Sequence, residues 1–239
     1  HLLVKFWQHG LGLGAVAHHI VELGLQHLGL QLVCCIRALQ VGINLLDRCL
    51  ELLGPAVNEP DAVLVDATLG LGGHSEAFLA AFPGLTLVGV DRDPIASAMA
   101  AQRLASFGER FVPRAGEHEN LASLLATING GRINAILFDL GVSSMQLDEP
   151  QRGFSYSRDA SLDMRMNPQD ELTAAQIVNT YTEGELVGVL RDYGEERSAR
   201  RVAKAIIAAR KVAPITSTAE LAELVRDAIP QAAKRTGGH

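Results

Sequence analysis

Asp66-Ala67-Thr68-Leu69-Gly70-Leu71-Gly72-Gly73-His74-Ser75 follows a short apolar run, Ala62-Val63-Leu64-Val65, of strand length and composition. A strand that ends in an acid, then three glycines and a helical pattern, is the entrance to a nucleotide-type pocket. Glycine lets the backbone turn sharply and approach a ligand closely, because no Cβ intervenes. The acid selects among ligands. A dinucleotide pyrophosphate is anionic and is repelled by Asp66; the G-x-G-x-x-G spacing of nicotinamide dehydrogenases is also absent. S-adenosylmethionine has no phosphate and carries a sulfonium and an ammonium, so charge attraction favours it.

Outward from this loop, strand and helix alternate. Leu85 to Val90 predicts a second strand ending at Asp91, and Pro94 opens the next helix. Arg110 to Arg114 is a weaker third strand, and Ala135 to Asp139 a fourth. Upstream, Leu45, Leu46, Cys49, Leu50 and Leu53 recur at helical spacing, with Gly54-Pro55 expected to close that helix. Four strands at βαβ spacing predict an α/β fold with a parallel sheet covered by helices. After Gly141 the pattern changes. Residues 143–168 read as a polar loop, and helices follow near 173–180, 183–192, 194–211 and 217–228. The expected organisation is an atypical segment over 1–43, a cofactor-binding half over 44–142, and a loop plus helical module over 143–239.

The formal net charge of −6 over 239 residues argues against a general polyanion binder but leaves room for a local basic face. Cys34, Cys35 and Cys49 form no CxxC pair, which fits thiols of a reducing cytoplasm. Residues 11–36 look apolar, yet Glu22, His18, His19, His27 and scattered glycines suit neither a membrane span nor a signal peptide. The histidines near the start match no metal-ligand spacing, so no metal is expected. The chain opens on His1 rather than Met, so its start reads as other than the natural one.

Asp91 lies about twenty residues past the loop, where an acid accepts the ribose hydroxyls of an adenosine cofactor. It either does this or caps the following helix; Asp93 suits the cap better, leaving Asp91 free for the ribose. Asp139 stands at a carboxyl strand end, where ligands of open α/β sheets bind. It either faces the reacting group or is satisfied by the backbone of Gly141-Val142-Ser143-Ser144. In the polar run 146–166, Phe154 and Tyr156 either stack on a base, with Arg152 or Arg165 on phosphate, or pack the loop together with Met164 and Met166. Arg197, Arg200, Arg201 and Lys204 share a helical face, opposite Ala199, Val202, Ile206 and Ala209. That face is either solvated and partly paired with Glu195 and Glu196, or an RNA phosphate footprint.

Six ordered segments carry a resemblance: the loop at 66–75, Asp91-Arg-Asp-Pro, Phe138-Asp-Leu-Gly-Val-Ser-Ser-Met-Gln-Leu-Asp, Arg152-Gly-Phe-Ser-Tyr, Leu162-Asp-Met-Arg-Met and Tyr193-Gly-Glu-Glu-Arg. Over about residues 45–235 the chain resembles the bacterial 16S rRNA (cytosine-N4)-methyltransferases. The resemblance implies a Rossmann-like class I methyltransferase sheet, with only the first four strands present, and a helical insertion subdomain that recognises 16S rRNA in the small ribosomal subunit. It implies no DNA partner and no membrane. It also implies that Gly72, Gly73, His74, Asp91, His118, Asp139 and Gln146 contact S-adenosylmethionine, with His118 standing where the family usually has an aromatic. Residues 1–43 match nothing in the family, and the chain stops at His239 before the expected last strands, so strand four is expected to be an exposed edge. In the expected reaction a cytosine N4 amine attacks the sulfonium methyl in line. Asp139 holds that amine, directly or through Gln146 or water, and is the catalytic candidate. The alternatives are a catalytically incomplete fragment, or a methyltransferase acting on a protein or small molecule.

Overall fold

The computed structural model describes residues 31–34 (backbone course), 45–116, 132–139, 141–155 and 159–230. The chain divides into two compact units, one within Ala17–Leu140 and one containing Gly141–His239.

The first unit is built on a five-stranded sheet of order β1-β5-β2-β3-β4. Its strands are β1 (Gln31–Cys34), β2 (Val63–Asp66), β3 (Thr86–Asp91), β4 (Phe111–Ala115) and β5 (Ala135–Phe138). All neighbours run parallel. A parallel sheet covered on both faces needs apolar residues in continuous runs rather than in alternation. β2 and β5 meet that need, with every residue buried. Leu64, Leu87 and Leu137 join one core cluster with α1 (Leu45–Val57), α2 (Gly73–Ala81) and α3 (Pro94–Leu104). Val63, Val65, Val88, Val90, Ile136 and Phe138 form the cluster of the other face.

The four expected strands are present, and a fifth joins them. β1 pairs with β5 from Gln31↔Ala135 to Cys34↔Phe138, so the predicted exposed edge is covered. Four residues inside a Leu- and Gly-rich stretch carry no period that marks a strand. α1 also departs from expectation. Gly54-Pro55 does not end it; the helix runs to Val57 with Pro55 inside. Pro55 forfeits one backbone bond, but the helix buries Cys49, Leu53 and Val57 at four-residue spacing and so holds its course. Asp93 caps α3 as expected, accepting from the amides of Ile95 and Ala96, with Pro94 in the first turn.

The chain passes from β2 through β3 to β4, then returns to place β5 on the other side of β2. The strand order therefore reverses between β2 and β5, and ligands of open α/β sheets bind at the carboxyl ends beside such a switch. Asp66 ends β2 and Asp139 follows β5 at that place.

The second unit is helical: α4 (Ser144–Asp148), α5 (Ala174–Thr180), α6 (Glu183–Gly188), α7 (Ala199–Arg210) and α8 (Thr218–Ala228). Reciprocal capping boxes start three of them, Ser143 with Gln146, Thr173 with Gln176 and Thr182 with Glu185. The helix expected over 194–211 begins only at Ala199, because Glu195 adopts φ 49° and interrupts it. Leu162, Met164, Val178, Leu186, Val202, Ile206, Leu221 and Val225 belong to this unit's core.

Candidate active site

The glycine loop is tied to the sheet by its own backbone. The Leu69 amide donates to the Val90 carbonyl at 3.0 Å, and the Gly72 amide to the Leu69 carbonyl at 2.8 Å. Gly72 adopts φ 77° at the N-terminus of α2 and makes no side-chain cap. A Cβ there would stand 3.1 Å from Leu104 Cδ1 and 3.3 Å from the Ala100 Cβ, so α3 packs directly against the loop. From outside, Arg103 grips Glu76 with two hydrogen bonds of 2.9 and 2.7 Å.

Asp66 is buried, with 1% of its surface exposed. Its carboxylate accepts from the Thr68 amide at 3.2 Å and from the Ser75 hydroxyl at 2.7 Å. Burial pushes its pKa up to about 6. Asp66 thus clamps the two ends of the loop together. Asp91 is also engaged. Its two oxygens accept from the amides of Gly70 at 2.7 Å and Asp93 at 2.8 Å, so it is not left free as the sequence suggested. A carboxylate has about four acceptor sites, so this half-buried group can hold the loop and still accept ligand hydroxyls.

Asp139 completes the group. Its amide donates to Thr68 Oγ1 at 2.6 Å, and the Ala67 amide donates to the Leu137 carbonyl at 2.9 Å. These bonds lock the ends of β2 and β5 together and fix where the Asp139 carboxylate starts. That carboxylate is 39% exposed and lies 3.7 Å from His74 Nδ1. The separation is an ion-pair distance if the ring is charged and too long for a hydrogen bond. His74 Nε2 is buried and lacks a hydrogen-bond partner. Together these bonds bring a ribose-competent acid, and a part-exposed carboxylate beside an imidazole, to the carboxyl ends of the strands. A glycine-rich loop rimmed by carboxylates suits an adenosine ligand with a cationic centre and opposes a pyrophosphate.

The model of the MraW methylase family matches residues 41–239. The chain belongs to this family. The chain is 58% identical over 200 residues to the ribosomal RNA small subunit methyltransferase H of Mycolicibacterium smegmatis, covering 82% of this chain and 54% of that protein. The same-named protein of Mycolicibacterium gilvum is 57% identical over 195 residues (82% and 53% covered), and that of Streptomyces avermitilis 51% over 195 residues (82% and 61%). The chain therefore spans between about half and three-fifths of these relatives' lengths.

Of the family's expected contact residues, Gly72, Gly73, His74, Asp91 and Asp139 come together in the sheet unit. Gln146 lies in the helical unit, 4% exposed, where its side chain accepts from the Ser143 amide at 3.0 Å and closes the capping box of α4. His118 and Tyr156 lie outside the described residues. The polar run 146–166 resolves in favour of packing. Phe154 is 1% exposed and cannot stack on a base. Arg152 is buried and donates to the carbonyls of Arg165 and Met166, and Arg165 pairs with Asp163 at 2.7 Å. Sequence reasoning missed Thr68 and Ser75, whose hydroxyls join the loop to Asp139 and Asp66. The only trace of them is their spacing from Asp66, by two and by nine residues.

Proposed function

We propose that the chain binds S-adenosylmethionine at the β2–β5 switch point and methylates N4 of a cytosine in 16S rRNA of the small ribosomal subunit, in the cytoplasm. The observation that carries this reading is Asp139: a part-exposed carboxylate whose backbone is fixed through Thr68, beside His74 of the glycine-rich loop. Bound there, S-adenosylmethionine offers a methyl group activated by its sulfonium. The chain's own residues do the rest. Gly70 and Gly72 leave room for close approach of the ligand, and Asp91 orients the ribose through its hydroxyls. Asp139 accepts a hydrogen bond from the exocyclic amine, which orients the nitrogen toward the methyl; as the N–C bond forms the sulfur–methyl bond breaks, a neutral thioether leaves, and the amine's surplus proton passes through Asp139 to solvent. His74 stands beside that carboxylate, with Nδ1 3.7 Å away. Gly73, Gln146 and His118 remain contact candidates on the family resemblance alone.

Calorimetry with S-adenosylmethionine tests the cofactor half, with the Asp91→Asn variant expected to bind at least about tenfold more weakly, the cost of a charge-assisted bond. Transfer of labelled methyl groups to small ribosomal subunits tests the reaction. Asp139→Ala is expected to keep cofactor binding and lose methylation by about 10²-fold or more. Full methylation by Asp139→Ala would overturn the assignment.

A further inference from the structure

α7 carries an exposed row of cations. Arg200, Arg201, Lys204 and, past its end, Lys211 are exposed, with Arg197 just before the helix. Positions 200, 201, 204, 207, 208 and 211 recur at three- and four-residue steps, so they lie on one stripe. Ile207, partly buried, and Ala208 are its uncharged members. The opposite face, Val202, Ala203 and Ile206, is buried in the helical unit's core. From Arg200 to Lys211 the stripe extends about 16 Å at 1.5 Å per residue.

The clustering of these cations on one helix sets them apart. Several other arginines are occupied: Arg103 by Glu76, Arg165 by Asp163, Arg191 by Asp192, Arg152 and, at the end of α7 itself, Arg210 by backbone carbonyls. Among the described residues, Arg197, Arg200, Arg201 and Lys204 form no ion pair or hydrogen bond. α7 contains no acid at all. The nearby Glu196, one of the two acids that could have paired with part of this charge, accepts from the Ser198 amide. A chain of net charge −6 thus carries an uncompensated positive line on one helix.

We propose that this stripe is a phosphate-binding face for the backbone of RNA. The proposal rests on the rRNA reading above and adds where the chain grips it. A row of cations without an apolar anchor matches a polyanionic strand, whose binding is driven by counterion release. A protein partner would instead call for a buried aromatic or aliphatic hot spot; this face carries no aromatic residue, and its one aliphatic side chain, Ile207, packs against the helical unit's core. Guanidinium groups also match phosphate oxygens bidentately, which suits the three arginines.

The test is the affinity of the chain for a labelled single-stranded oligoribonucleotide as salt is raised. R200Q/R201Q/K204Q is expected to weaken binding at least tenfold and to make the slope of log K against log salt shallower by about two, at ~0.7 per cation for single strands. K204Q alone takes about one third of that, and R200K/R201K, which keeps the charge, restores the wild-type slope. R48Q/R132Q, which removes exposed charge from the sheet unit, should leave both unchanged. Calorimetry with S-adenosylmethionine on the triple variant should match wild type. A wild-type chain that fails only there refutes the cofactor reading and leaves the RNA result standing. Unchanged affinity and slope in the triple variant, no RNA binding by the wild type, or stripe-dependent binding of polyglutamate in place of RNA would each overturn the proposal.

Discussion

Gly72 and Gly73 are neighbours with different physical demands. Gly72 holds φ 77° against α3, so Gly72→Ala pays for a left-handed backbone and for displacing Leu104. A loss of about 1–3 kcal/mol is expected from the strain, read as a lower urea midpoint. A Cβ on Gly73 would meet nothing nearer than Arg103 at 3.9 Å. Gly73→Ala is therefore expected to keep or slightly raise stability. Equal stability losses in the two variants would contradict this division. Asp66 makes a different prediction. Its pKa is about 6 in the fold against an ordinary 3.8. The folded chain thus holds this proton more tightly than the unfolded chain does. The stabilisation is complete below about pH 4 and fades as pH rises through 6. At 1.36 kcal/mol per pH unit it is on the order of 3 kcal/mol. Asp66→Asn should lack this dependence, so the gap between wild type and variant in urea unfolding changes by about that amount from pH 4 to pH 7. Parallel pH profiles would refute it.

At the scale of elements, the run from Pro150 to Met166 shows what composition hides. Gly153 has φ 71°, and a Cβ there would fall 2.5 Å from the Ser161 carbonyl oxygen. Met164 is fully buried with φ 59°, an uncommon backbone for a non-glycine residue, and its amide donates to the Arg152 carbonyl at 3.0 Å. Arg152 binds the chain back on itself through the Arg165 and Met166 carbonyls. Arg152→Met keeps the bulk and leaves those carbonyls without this donor, so about 1–3 kcal/mol of stability should be lost. Its RNA salt slope should match wild type; a slope shallower by about 0.7 would restore Arg152 as a phosphate ligand. The helix and strand pattern around the glycine loop was legible because apolar runs, caps and glycines act locally. Thr68 was not, since its bond to the Asp139 amide spans 71 residues. β1 was not, since a parallel strand of four residues is too short to carry a period that marks it. Arg152 and Phe154 read as ligand-facing because a polar sequence does not reveal that carbonyls will satisfy a buried guanidinium.

Across the whole molecule, each unit has its own apolar core. Leu87 belongs to the cluster of the sheet unit, Leu221 to that of the helical unit, and both are nearly or wholly buried. Leu→Ala at either costs about 2–5 kcal/mol through lost burial and the cavity left behind. The residues proposed to receive the cofactor, Gly70, Gly72 and Asp91, all belong to the sheet unit, and a ligand stabilises only what it binds. S-adenosylmethionine at about one hundred times its Kd should add about 2.7 kcal/mol to that unit. Urea unfolding followed by hydrogen exchange separates the two. L87A should lower protection in β2, β3 and β5, and the cofactor should restore it. L221A should lower protection in α7 and α8, where the cofactor should restore nothing. Protection of α7 and α8 that rises with S-adenosylmethionine as much as that of β2 would show that the units unfold as one body, and that cofactor binding reaches the cationic stripe directly.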